Sequence, residues 1–133
     1  MSSAAPGSYP LVPPPFDEAG ARAVVQAAED AWNARVAAAI PDGYTADTRW
    51  RYRDRFVEGR DNILPFLEEA WPRQREYRLR KELWSYTGNR ISVRFISEWR
   101  HAETGQCYRT FGCEHWEFAP DGRCTILELS AND

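Results

Sequence analysis

Apolar positions between residues 17 and 39 recur at helical spacing. Ala21, Val24, Val25, Ala28 and Trp32 follow an i, i+3, i+4 rhythm, while Arg22, Gln26, Glu29 and Asn33 take the other side. The pattern predicts an amphipathic helix from Phe16–Asp17 to about Ala39. Asp17 suits the N-cap, Glu18 places negative charge in the first turn, and Pro41-Asp42-Gly43 stops the helix. The rhythm then changes to two. Tyr44, Ala46, Thr48, Trp50 and Tyr52 alternate with Thr45, Asp47, Arg49, Arg51 and Arg53, which predicts a half-buried strand. After a turn near Glu58–Gly59, a second helix carries a buried stripe of Ile63, Phe66, Leu67, Ala70 and Trp71. Pro65 belongs in its first turn, since an interior proline costs about 3 kcal/mol, and Pro72 closes it.

The remainder alternates. Strands are expected at Glu76–Thr87, Arg90–His101, Gln106–Phe118 and Arg123–Ala131, separated by turns at Gly88–Asn89, Glu103–Gly105 and Asp121–Gly122. Short turns between successive strands make an antiparallel meander. Helices come first and the sheet later, so the class is α+β. Gly112, inside a strand, is a candidate bulge that would change the facing of the residues after it.

A chain of 133 residues is one domain in size, and 28% charged with 43% hydrophobic residues excludes global disorder. The net charge of −3 argues against a nucleic-acid partner. No apolar run is long enough for a transmembrane helix. Cys107, Cys113 and Cys124 are few and odd in number, which fits reduced thiols in a cytoplasmic protein rather than a disulfide framework. Residues 1–15 are rich in Ser, Ala and Pro, with neither the basic nor the apolar region of a signal peptide. They predict an extended proline-rich arm, either free or lying across its own domain or a partner, ahead of a single domain at 16–133.

Several stretches together carry a family resemblance. They are Ala28-Glu29-Asp30-Ala31-Trp32-Asn33, Thr48-Arg49-Trp50-Arg51, Tyr77-Arg78-Leu79 with Lys81-Glu82-Leu83-Trp84, Asn89-Arg90-Ile91, Val93-Arg94, Glu98-Trp99, Phe111-Gly112 and Trp116-Glu117-Phe118. The chain resembles the nuclear-transport-factor-2-like (SnoaL-like) superfamily, and within it an uncharacterised bacterial family. The resemblance implies a cone: a strongly curved, mostly antiparallel sheet wrapped around the N-terminal helices, with one deep pocket. It also implies a homodimer formed through the outer sheet face. The chain departs from the family pattern at Cys113 and His115, where the relatives carry two Asn, and at Tyr52, where they carry another.

Candidate chemistry follows from facing. Trp116 and Phe118 are large and apolar, so their side of the third meander strand should be inward, and Glu114 shares their parity. A carboxylate among aromatic rings is either a general acid or base, or a structural partner of an arginine. His115 is suited to proton transfer near neutral pH but takes the opposite parity unless a bulge intervenes. Tyr52 is a candidate polarising donor. Trp50, Phe95, Trp99 and Trp116 would wall the pocket, with Cys113 beside them and Arg109 reaching the mouth. Cys113 with His115 is also the one candidate metal pair, though one strand cannot readily enclose an ion. Dense Arg and Glu alternation, as in Arg78, Arg80 and Glu82, fits an ion-paired outer face. No dinucleotide-binding or phosphate-loop motif is present, so no cofactor is expected. The function that fits is cofactor-free acid/base chemistry on a cyclic or carbonyl-bearing small molecule. The alternatives are a binding or dimerisation module of the same fold, or a metal enzyme using Cys113 and His115.

Overall fold

The first helix, α1, spans Glu18–Ala34 in the computed structural model, which describes residues 11–133. The Asp17 carboxylate accepts from the Gly20 N–H at 2.7 Å, capping one of the orphan donors of the first turn. The helix ends five residues before the expected Ala39. Arg35 takes a left-handed conformation, φ 56° and ψ 34°, and Ala37–Ala39 and Pro41–Gly43 form 3-10 turns instead.

Strand β1 (Tyr44–Tyr52) pairs with a short antiparallel strand β2 (Arg55–Glu58), which the hydrophobic pattern did not indicate. Helix α2 (Ile63–Ala70) holds Pro65 in its first turn and buries Ile63, Phe66 and Leu67. The long strands are β3 (Gln74–Thr87), β4 (Arg90–His101), β5 (Cys107–Phe118) and β6 (Cys124–Asn132). They form one curved sheet in the order β2-β1-β6-β5-β4-β3. Neighbours are antiparallel except β1 and β6, which run parallel, so the sheet is mixed rather than a pure meander. The β1–β6 register shifts between Tyr44 and Arg49. There the buried Thr48 hydroxyl donates to the carbonyls of Cys124 and Thr125. Ala46 is consequently exposed despite its parity.

The apolar stripe of α1 packs into the concavity against Trp50, Leu79, Trp116 and Leu129. Two polar side chains of the helix cover the free edge of β3. Asn33 both donates to the Leu79 carbonyl and accepts from the Leu79 N–H, and Glu29 accepts from the Lys81 N–H at 2.7 Å. An edge strand is thereby given backbone partners it would otherwise lack. Of the proline-rich arm, residues 1–10 lie outside the described residues, and Val12 packs against the core beside Gly122. No helix among the described residues is long and apolar enough to cross a membrane.

Candidate functional site

The inner face of the sheet is mostly apolar, with Ser97, Thr110 and the charged Glu114 buried among its apolar side chains. On β5, Glu114 sits between Gly112 and Trp116 on the buried side. On β3, Lys81 occupies the same face between Leu79 and Leu83. The strand between them, β4, contributes Val93 and Phe95. The lysine ammonium and the Glu114 carboxylate form a direct ion pair, their side chains only 5% and 3% exposed. Trp116 Nε1 donates to the other carboxylate oxygen at 3.1 Å. The ammonium lies 5.1 Å from the Trp116 ring, 5.7 Å from Phe95 and 5.9 Å from Trp32, close enough for cation–π attraction.

Trp32, Tyr52, Tyr77, Leu79, Lys81, Phe95, Glu114 and Leu129 enclose a cavity of only about 10 Å³. That is at the lower limit for one water, whereas small-molecule sites span hundreds of Å³. The space immediately around the Lys81–Glu114 pair is thus filled, while a wider and more open hollow of about 950 Å³ shares Lys81 and Phe95 with it and is lined also by Val25, Gln26 and Gly112. The filling is aromatic: Trp32 stacks on Tyr52 at 6.3 Å and meets Trp71 edge-on at 5.4 Å. Burial, and then the nearby Glu114 carboxylate, push the Tyr52 phenol up to about 12. Burial also pushes the Tyr77 phenol well above the usual tyrosine value. Both hydroxyls therefore remain protonated donors at neutral pH.

The structure gathers four of the expected residues at this point, Glu114, Tyr52, Phe95 and Trp116, and places five elsewhere. Gly112 makes no bulge, because β4 and β5 stay in continuous register through it. Its missing side chain makes room for Phe95, whose ring carbons would lie 2.3 Å from an added Cβ. Strict alternation therefore holds, and His115 and Cys113 face outward, opposite Glu114. His115 Nδ1 shares a hydrogen bond with the Ser92 hydroxyl at 2.9 Å. Arg109 also faces outward and pairs with Glu98 at 3.1 Å, lining open hollows on the outer side rather than the cavity at Glu114. Trp50 does not line the cavity; it is buried behind it among Tyr44, Phe66 and the cavity-lining Trp32. Trp99 lies toward the far end of the inner face, stacked on Tyr108 at 4.6 Å, with its Nε1 donating to Thr110. Among the described residues, no group of three or more His, Cys, Asp and Glu side chains is placed to hold a metal ion.

Of the residues lining the cavity, Trp32, Tyr77, Leu79, Lys81 and Leu129 were not among the expected ones. Lys81 had a readable signal: it is the one charge on the apolar parity between Tyr77 and Leu83, the argument that picks out Glu114 on β5. Glu29, Trp32 and Asn33, in the first family stretch, hold the β3 edge and wall the cavity.

Residues 14–133 match the family model described as "Protein of unknown function (DUF1348)". The chain belongs to this family. No curated protein matches it. Solved structures share its fold. SalBIII, an epoxide hydrolase/cyclase-like enzyme of pyran ring formation in the polyether salinomycin, is 14% identical with a TM-score of 0.75 over 87% of this chain and 93% of its own. A protein of Xanthomonas campestris pv. campestris named as a candidate polyketide cyclase is 20% identical, with a TM-score of 0.73 over 84% and 90%. An NTF2-like protein of unknown function from Burkholderia pseudomallei K96243 is 20% identical, with a TM-score of 0.70 over 78% and 84%. At such identities the likeness establishes the fold, the α+β cone of NTF2-like and SnoaL-like proteins.

Proposed function

We propose that this DUF1348 protein is a small-molecule enzyme performing cofactor-free general acid/base chemistry on a cyclic or carbonyl-bearing substrate, of isomerase, cyclase, dehydratase or hydrolase type. The observation that carries the reading is the Lys81–Glu114 pair, desolvated at the centre of an aromatic cone. Glu114 takes a proton from the substrate and returns it. Each carboxylate oxygen has a second lone pair beyond those used by Lys81 and Trp116. Lys81 holds the carboxylate in place, and the Tyr52 and Tyr77 hydroxyls donate to oxygen as negative charge develops there. Substrate enters by rotation of the half-buried Tyr52 and Tyr77 rings. The epoxide hydrolase/cyclase-like and polyketide-cyclase names of the structural relatives favour ring-forming or ring-opening chemistry. The test is proton exchange at the α-carbon of a panel of cyclic ketones and lactones in heavy water, followed by NMR. Exchange by the wild type that is lost in a folded Glu114→Gln variant supports the reading; exchange that survives the substitution refutes it.

The outer face favours a homodimer, and it alone would serve a non-catalytic dimerisation module. Ile96 and Phe111 are directly opposed there and exposed, and Trp84 covers Arg94 at 4.1 Å. Ion pairs Arg94–Glu82, Arg109–Glu98 and Arg90–Glu117 border them. An apolar centre with a charged border is the anatomy of a protein interface.

A further inference from the structure

Of Lys81 and Arg35, both in or beside the cone interior, only Lys81 has an ion-pair partner among the described residues. Lys81 is answered by Glu114. Arg35 forms no ion pair with an Asp or Glu of the described residues. Its guanidinium is held between two rings, 3.4 Å from the Tyr77 centroid and 4.7 Å from that of Trp71, with Nη2 donating to Gln74 Oε1 at 3.2 Å. Nε and Nη1 are buried with no hydrogen-bond partner among the described residues. Burial lowers the guanidinium to about 10, against the opposing pull of the Tyr77 and Tyr52 phenols, so it stays charged at neutral pH. The same two tyrosines wall the Glu114 cavity. The backbone adds an independent observation. Arg35 occupies the left-handed C-cap of α1, a position that ordinarily selects glycine or asparagine.

We propose that Arg35 is a substrate-recognition residue and that the substrate of this cone is a monoanionic carboxylic acid. The inference rests on the acid/base reading and names the substrate class for it. The Tyr77 and Trp71 rings cover the guanidinium, and the N–H groups of its buried Nε and Nη1 have no acceptor among the described residues, so movement of these rings is needed to admit a ligand to them. A planar carboxylate approaching in the guanidinium plane supplies the missing acceptor. One negative charge is also the number that balances Lys81, Arg35 and Glu114, whereas a phosphate dianion would leave the interior charged again. The ligand's ring or carbonyl then lies between Tyr52 and Tyr77, facing Glu114.

The test titrates the full chain with benzoate, cyclohexanecarboxylate and 3-oxocyclohexanecarboxylate, each against its primary amide. The readout is tryptophan fluorescence, since Trp71 flanks Arg35. At least one acid is expected to bind the wild type about tenfold or more tighter than its amide, the equivalent of one charge-assisted contact. Arg35→Met should abolish that preference, and Arg35→Lys, which keeps the charge but not the planar fork, should retain part of it. Failure of every acid to bind, equal binding of acid and amide, or a folded Arg35→Met variant that keeps the preference overturns the proposal. Should Arg35→Met not fold, the wild-type acid-to-amide ratio and Arg35→Lys decide. Glu114→Gln separates the two readings. Acid binding with lost turnover supports both, acid binding with retained turnover refutes only the acid/base role, and loss of the acid preference in wild type refutes only the Arg35 role.

Discussion

Replacing Lys81 with methionine keeps the volume of the side chain and removes its charge, stranding the Glu114 carboxylate among Trp116, Phe95 and Leu129. Deleting one member of a buried ion pair costs about 3–5 kcal/mol. Proton uptake sets a ceiling. An ordinary glutamyl carboxyl in an unfolded chain ionises near pH 4.3, and each pH unit above that is about 1.36 kcal/mol, so a proton can be forced onto the stranded group for about 3.7 kcal/mol at pH 7 and about 1 kcal/mol at pH 5. The native variant then holds a proton that its unfolded chain has lost. Its stability must therefore fall as pH rises through this range. In the wild type Lys81 supplies the counter-charge. Urea unfolding followed by tryptophan fluorescence at pH 5 and pH 7, variant against wild type at each pH, measures the difference directly. The expected deficit is about 3–4 kcal/mol at pH 7, shrinking to about 1 kcal/mol at pH 5. Lys81→Met with Glu114→Gln together should cost less than the sum of the single changes. A deficit under about 1 kcal/mol at pH 7, or one that does not change with pH, would refute the claim that the pair is desolvated.

Gly112→Ala places a methyl group 2.3 Å from two Phe95 ring carbons and 2.8 Å from the Ser130 carbonyl. We expect a loss of about 1–3 kcal/mol in urea unfolding, and a neutral result would show that Phe95 has room to move. Tyr52 is raised from the ordinary value near 10 to about 12, so its contribution is full below pH 10 and lost as pH climbs toward 12. Tyr52→Phe should flatten the decline of stability between pH 9 and pH 11, as read from denaturation at each, by about 1.3 kcal/mol, the one pH unit above 10 at about 1.36 kcal/mol per unit. Phe111→Lys puts charge at the centre of the outer apolar patch. It should turn a dimer into a monomer in sedimentation equilibrium without changing the far-ultraviolet circular dichroism, and an unchanged mass would place the interface elsewhere.

Most of the sheet was legible because period two and turn residues are local properties. The limits of β4 were readable to the residue, and those of β5 and β6 to within one. The inward facing of Glu114 followed from the tryptophan and phenylalanine that share its parity. The same argument, applied to β3, would have found Lys81. Other features were not legible for physical reasons. Strand β2 has four residues, too few for a pattern, and the parallel pairing of β1 with β6 joins segments far apart in sequence. The early end of α1 depends on a left-handed arginine, which no local preference favours and which tertiary stacking on Trp71 and Tyr77 holds in place. The bulge weighed at Gly112 did not form, because the space its hydrogen leaves is taken by a ring from the neighbouring strand.

The Lys81–Glu114 pair joins β3 to β5 over the intervening β4, and so acts as a chord across the bend of the sheet. A ligand that wedges lysine from glutamate lengthens the chord and flattens the arc. The reverse side of those same three strands carries Arg94, Ile96 and Phe111. Were a ligand to occupy the cone and two copies to associate on its back, as proposed, both would act on a single variable, the curvature of the sheet. By reciprocity, whatever a ligand does to self-association, self-association must do to the ligand's affinity.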